Sequence, residues 1–168
     1  RTVRLVTGSG DLDLDGDVQA SSMVCHTLSG DIRGEAKGQE MEFHTTSGDV
    51  ELSVTAEKAD FNVISGDLSL KGTAGHMKVV SVSGDVEASV DGEDMSVSTT
   101  SGDVKLTGSM EHVDVHCVSG DLRLRMKIRE IEVGSASGEI ELQLSAAQEA
   151  ESVTAQSRSG DVFICLAP

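Results

Sequence analysis

The chain has 168 residues, with 13 Lys and Arg against 29 Asp and Glu, a formal net charge of −16. That balance repels phosphate, so it argues against nucleic acid as a partner and against docking on an anionic membrane surface. Trp and Tyr are absent and only 3 Phe occur, which disfavours an aromatic-rich globular core but suits a narrow seam of Val, Leu, Ile, Met and Thr.

In chain order the pattern opens with Val3, Leu5 and Thr7 alternating with polar or outward-facing residues, the period-2 signature of a half-buried strand. The strand runs into Ser9-Gly10-Asp11. The triplet returns at Ser29, Ser47, Ser65, Ser83, Ser101, Ser119, Ser137 (with Glu139 for Asp) and Ser159. From Ser29 to Ser137 every interval is 18 residues; the first interval is 20 and the last is 22. A fixed period of this kind marks a repeat architecture in which each unit packs on its neighbours.

Residues 83–100 serve as the type unit. Val86, Ala88 and Val90 alternate with polar residues, Asp91-Gly92-Glu93-Asp94 reads as a turn, and Met95, Val97 and Thr99 alternate again. The same slots hold elsewhere: Ile32, Val50, Leu68, Val104, Leu122 and Ile140 all follow the motif directly. The slot two residues before each Ser is small and often hydroxylated, as in Thr27, Thr45, Ser81 and Ser135. These patterns predict an all-β, single-domain parallel β-solenoid, a β-helix of about nine 18-residue coils with two strands per coil. At ~4.8 Å per coil the rod is roughly 40 Å long. A three-sided coil would need an apolar residue at every sixth position, and Gly92 and His116 break that rule, so a flattened coil of two sheets is expected; its hand is not written in the sequence, right-handed crossovers being the general default for parallel strands. The two extra residues of the first interval are expected in the second turn around Asp17 to Ser22. The four of the last interval are expected around Ser145 to Ser152.

Gly30, Gly48, Gly66, Gly84, Gly102, Gly120 and Gly138 are expected to hold the positive-φ position of the turn. Stacking then places Asp31, Asp49, Asp67, Asp85, Asp103 and Asp121 in one row. Like charges about 5 Å apart repel by ~0.8 kcal/mol in water. A carboxylate bonded to backbone N–H or a Ser hydroxyl recovers about 1.5–3 kcal/mol, so the row reads first as a structural corner. The alternative is a divalent-cation ladder in which those six Asp residues bind Ca²⁺, although the glycine spacing differs from that of calcium β-rolls. Outside the corner, Arg33 is expected between Asp13 and Glu51, Glu87 beside Lys105, and Arg123 beside Glu141, as cross-strand ion pairs.

The remaining reactive side chains do not assemble a site. His26 and His44 share an outward slot on adjacent coils without a third ligand of fixed spacing, and His76 and His112 fall in second turns and read as incidental. Cys25 and Cys117 fall in inward slots, Cys165 in an outward one, and no C-x-x-C occurs, which argues against a zinc ribbon, a thioredoxin-type site or a disulfide framework. Only Phe163 among the aromatics faces out, so the stacking platforms of polysaccharide-degrading β-helices are missing. No catalytic residue, resident metal or cofactor is expected.

The unit Thr45-Thr46-Ser47-Gly48-Asp49-Val50-Glu51-Leu52 resembles the β-strand-repeat domains of bacterial adhesin-type proteins, whose function is unknown. The resemblance spans the whole chain. It implies a location outside the membrane, at the cell surface or in the envelope, in a protein with a transmembrane or helical N-terminal segment. It supplies no catalytic residues. The expected role is a non-enzymatic, extracytoplasmic, adhesin-like interaction, spacer or envelope-sensing module. Residues 1–168 are read as the C-terminal part of a longer protein. No apolar run reaches the ~20 residues that span a bilayer, so no direct membrane insertion by this segment is expected. An unidentified protein or cell-surface partner is, with end-to-end homo-oligomers as a further form and Pro168 blunting one end.

Overall fold

The computed structural model describes residues 1–145 and 150–167, and among them it holds strands and no helix. The strands are β1 (Thr2–Ser9), β2 (Leu12–Ser29), β3 (Ile32–Ser47), β4 (Val50–Ser65), β5 (Leu68–Ser83), β6 (Val86–Ser101), β7 (Val104–Ser119), β8 (Leu122–Ser137), β9 (Ile140–Ser145), β10 (Ser152–Ser159) and β11 (Val162–Ala167). Every pairing is parallel, and the order follows the chain from β1 to β9 and then β11, with β10 on β8. Ser lies opposite Ser in successive coils, as in Ser65↔Ser83 and Ser83↔Ser101. The result is a β-solenoid of about nine turns, each built on about 18 residues.

Each central coil is continuous over a longer stretch than alternation alone indicates. β3 to β8 are each 16 residues long, broken only where Gly and Asp turn the chain. The two strands read from the type unit therefore run into one another through the second turn. That turn survives as a slip in the inward alternation: in β6, Val86, Ala88 and Val90 are buried, and burial resumes at Met95, Val97 and Thr99. Its trace in the β3–β4 register is one skipped position, between Gly38↔Ala56 and Glu40↔Lys58. Between β6 and β7 the gap is wider: pairing stops at Ser89↔Thr107 and resumes at Asp94↔His112.

The length irregularities fall away from the Ser-Gly-Asp corner. In the first coil Leu14 pairs with Gly34 and Val18 with Ala36. The two extra residues thus form a bulge between Leu14 and Val18, before the second turn rather than within it as alternation suggests. In the last coil Leu144 pairs with Met126 and Ser152 with Glu130, which places the four extra residues between Leu144 and Ser152. Residues 146–149 of that segment, and Pro168, lie outside the described residues.

The inward slots of both arms form one core. Ile32, Val50, Leu68, Val86, Val104, Leu122 and Ile140 stack directly on one another and are buried, as are Leu52, Leu70, Leu106, Leu124 and Leu142 in the next slot. A buried Val or Leu contributes about 1.5–3 kcal/mol relative to exposure. Phe43 and Phe61 occupy the same slot on adjacent coils, with ring centroids 5.0 Å apart and planes 4° from parallel. In-register parallel stacking makes like sit on like, which is why the core can repeat with few large side chains.

Candidate functional site

The corner carries the repeated chemistry. Gly30, Gly48, Gly66, Gly84, Gly102, Gly120 and Gly138 have φ between 119° and 129°, or up to 135° at Gly120. Backbone donors of the corner bond the following coil: Gly48 N–H donates to Ser65 O at 3.2 Å and Val50 N–H to Asp67 O at 2.9 Å. The Asp N–H between them bonds the preceding coil instead, and there the Asp side chain accepts it. Asp67 N–H donates to Asp49 Oδ1 at 2.9 Å, Asp85 N–H to Asp67 Oδ1 at 2.9 Å, and Asp103 N–H to Asp85 Oδ1 at 2.9 Å. The same bond links Asp11 to Asp31, Asp31 to Asp49, Asp103 to Asp121, and Asp121 to the Glu139 N–H. A side chain takes the place of a backbone acceptor and satisfies a group that would otherwise lack a partner.

The serines bond between coils as well. Ser65 Oγ donates to Thr46 O at 3.2 Å, Ser83 Oγ to Ile64 O at 3.3 Å and Ser101 Oγ to Val82 O at 3.3 Å. Both polar side chains of the motif thus stitch neighbouring coils, where sequence reasoning placed their bonds inside a single turn. In the small slot two residues upstream, Thr45, Thr99 and Ser135 donate to the carbonyl of the motif Ser at 3.4, 3.4 and 3.2 Å.

On the outer faces, two of the three expected ion-pair groups form and the third rearranges. Lys105 Nζ lies 2.9 Å from Glu87 Oε1, and Arg123 Nε lies 3.9 Å from Glu141 Oε2. Arg33 turns along its own strand, placing Nη2 2.9 Å from Asp31 Oδ2. Its side chain is long enough to reach the corner acid two residues back, which is already fixed by the ladder. His26 and His44 stack with centroids 4.7 Å apart, and His44 bonds Glu42. That bond holds the Glu42 carboxyl below the usual carboxylate range. Burial pushes the Cys25 thiol up to about 11 and raises that of Cys117, so both are poor nucleophiles, while Cys165 is exposed.

A groove of about 540 Å³ lies on the second arm, lined by Met77, Met95 and Val113. Along it, Lys58, His76, Asp94, His112 and Glu130 lie directly opposite one another on successive coils. His76 Nδ1 is 2.7 Å from Asp94 Oδ2, and His112 Nδ1 is 3.0 Å from Glu130 Oε2. From His76 to Glu130, imidazole and carboxylate side chains therefore alternate down the row, with Lys58 next to His76 at one end. Sequence reading treated His76 and His112 as incidental turn residues. The available signal was that His76, Asp94, His112 and Glu130 stand 18 residues apart, in one slot. Among the described residues, no three His, Cys, Asp or Glu side chains gather as a metal-ligand set. Among the described residues no helix is long and apolar enough to cross a membrane.

A family model described as Toastrack DUF4097 matches residues 1–109 and again residues 90–167. Two overlapping matches on one chain are what a repeat of identical coils produces, since the model can be laid down at more than one register. No curated protein and no solved structure matches the chain.

Proposed function

The chain belongs to the Toastrack DUF4097 family, and from that premise we propose that it is a non-enzymatic extracytoplasmic rod, an adhesin-like interaction, spacer or envelope-sensing module. The observation that carries this reading is the use to which the motif is put. Ser and Asp of the central corners bond the neighbouring coil, so the repeated Ser-Gly-Asp reads as a stacking device. The surfaces left to meet other molecules are the outward rows. A stiff stack of identical coils presents such rows at fixed spacing and holds whatever is attached to its ends apart.

The test is removal of one whole coil, residues 83–100, from the full-length natural protein. In-register stacking predicts that the shortened rod folds, giving an unchanged far-UV spectrum. Retained partner binding then identifies a spacer, and lost binding with folding intact identifies a contact on that coil. Protease accessibility of the domain in intact and osmotically opened cells tests its location; protection in both would sink the extracytoplasmic assignment.

The second reading is the calcium ladder. It is favoured by the geometry of the row, in which each carboxylate uses Oδ1 for the next N–H while Asp49, Asp67, Asp85 and Asp103 remain exposed. A melting temperature that rises in millimolar calcium and falls back with chelator supports it. Identical melts remove it.

A further inference from the structure

One strip of this acidic surface carries no acid. Two outward rows run side by side along the second arm, from Val6 to Gln156 and from Gly8 to Arg158, and neither contains an Asp or Glu. In a chain with 29 acidic residues that gap runs the length of the rod. Its apolar members stand in solvent: Leu28 is 62% exposed, Ile64 52%, Val82 46% and Val118 55%. They belong to one row, separated by Thr46 and Thr100. Between the rows the floor is the slot of small residues, including Thr27, Thr45, Thr99 and Ser135. The strip is therefore recessed, with grooves of about 400 Å³ near Leu28 and Ile64 and about 550 Å³ near Thr100 and Val118. Single exposed aliphatics are ordinary, but a row of them aligned along two grooves marks an interaction surface.

The borders of the strip say what it accepts. On one side lies the acid row of the corner, Asp31 to Asp121. On the other, two residues upstream on the same face, stand Glu42 and Asp60 and then Asp114 and Glu132, the two acidic pairs separated by Lys78 and Ser96. An apolar recess between acidic banks matches a segment with an aliphatic stripe flanked by Lys or Arg. A second copy of the chain would bring bank against like-charged bank, and an anionic lipid surface would meet both. We infer that this strip is the docking site for a basic amphipathic helix of a partner protein, with its aliphatic side in the recess and its cationic flanks on the two acid rows. The inference rests on the interaction-module reading and names the partner's chemistry.

The probe is a labelled Leu/Lys peptide of about 18 residues, which as a helix spans roughly 27 Å of the strip. A Ser/Lys peptide of equal charge serves as control, with binding read by anisotropy at physiological ionic strength. The wild-type chain is expected to bind the Leu/Lys peptide at least about tenfold more tightly than the Ser/Lys peptide. The uncharged triple variant Ile64→Ser, Val82→Ser, Val118→Ser is expected to lose about tenfold or more of that affinity. These side chains are exposed, so the variant should fold, and its far-UV spectrum and melt verify this. The pair Leu28→Ser, Val118→Ser gives a second measurement with less of the strip altered. Equal affinity for the two peptides, or no loss in either variant, overturns the inference, because bulk charge then explains the binding. Self-association through the strip in sedimentation, or variant-sensitive binding to phosphatidylglycerol vesicles, overturns it in favour of the other occupants. Failure of the strip leaves the module reading to its separate coil-deletion test.

Discussion

The two corners of each coil solve the same geometric problem by different means. At the Ser-Gly-Asp corner the backbone turns through a positive-φ glycine, and a Cβ on Gly84 would stand 2.1 Å from the carbonyl oxygen of Gly66. Successive coils meet there backbone to backbone, with no room for a side chain. At the second corner the equivalent outward position is Gln39, Glu57, Gly75, Glu93 and Glu111 in successive coils, and the strand continues through the bend. The first corner sets the pitch and the second absorbs variation. A long loop is tolerated where only closure entropy opposes it, and the four extra residues between Leu144 and Ser152 lie at the second corner.

The largest test of that contrast is insertion. Four residues placed between Gly84 and Asp85 should abolish the cooperative melt, because the Asp85–Asp103 and Asp67–Asp85 links both lose register. The same four placed between Gly92 and Glu93 should cost on the order of 1 kcal/mol and keep a single transition. Equal damage at both sites would remove the distinction between the corners.

Next in size are the glycines. Gly84→Ala combines φ of 119° with the backbone collision and should cost about 3 kcal/mol or more. A Cβ on Gly75 would stand 2.8 Å from the Glu57 carbonyl oxygen without a positive φ, at a position where other coils carry Glu or Gln, so Gly75→Ala should cost clearly less, about 1 kcal/mol. Denaturant melts of the two variants separate these outcomes.

Smaller again is the loss of one acid. Asp85→Ala leaves the Asp103 N–H without its acceptor and should cost about 1–2 kcal/mol, offset in part by relief of repulsion within the row. Asp85→Asn keeps an oxygen acceptor and should cost less. Asp94→Ala at the second corner removes only an exposed pair with His76, worth a few tenths of a kcal/mol. If Asp94 proved the costlier of the two, the ladder would not be what fixes the corner.

The smallest expected effect lies on the arm between the corners. Glu42 has its pKa lowered by the bond from His44, so its contribution is present above the unfolded carboxylate value and fades as pH falls through the folded one. Glu42→Gln should therefore lower stability by no more than a few tenths of a kcal/mol at neutral pH. Its melts should converge with wild type in acid. A gap that widens on acidification would reverse the sign.

The coil, its inward slots and its stacking were legible because parallel in-register packing writes one structural period directly into the sequence. What escaped did so for identifiable reasons. The bulge between Leu14 and Val18 adds two residues, and an even insertion preserves the alternation by which a strand is read, so Leu14 and Ala20 both still face inward. Arg33 was expected to reach across coils, but a flexible side chain beside a pinned carboxylate takes the nearer partner. The Lys58 to Glu130 row was hidden by reading each turn along the chain, when its members touch across coils. The links between corner acids were missed in the same way: an Asp at a turn commonly bonds its own turn, and only stacking reveals that the nearest open N–H belongs to the next coil.

The Asp ladder also bears on mechanics. Each coil is tied to the next by a short, repeated set of bonds, and no single link spans more than one step. A force drawing the two ends apart is carried by every interface in series, but an end coil is held by one neighbour instead of two, so the stack should open step by step, starting from an end, instead of failing as one unit. Each step pays out about 18 residues, roughly 60 Å of thread when extended, from a layer ~4.8 Å thick. Such a body is a stiff strut under compression and a long, stepwise-yielding tether under tension.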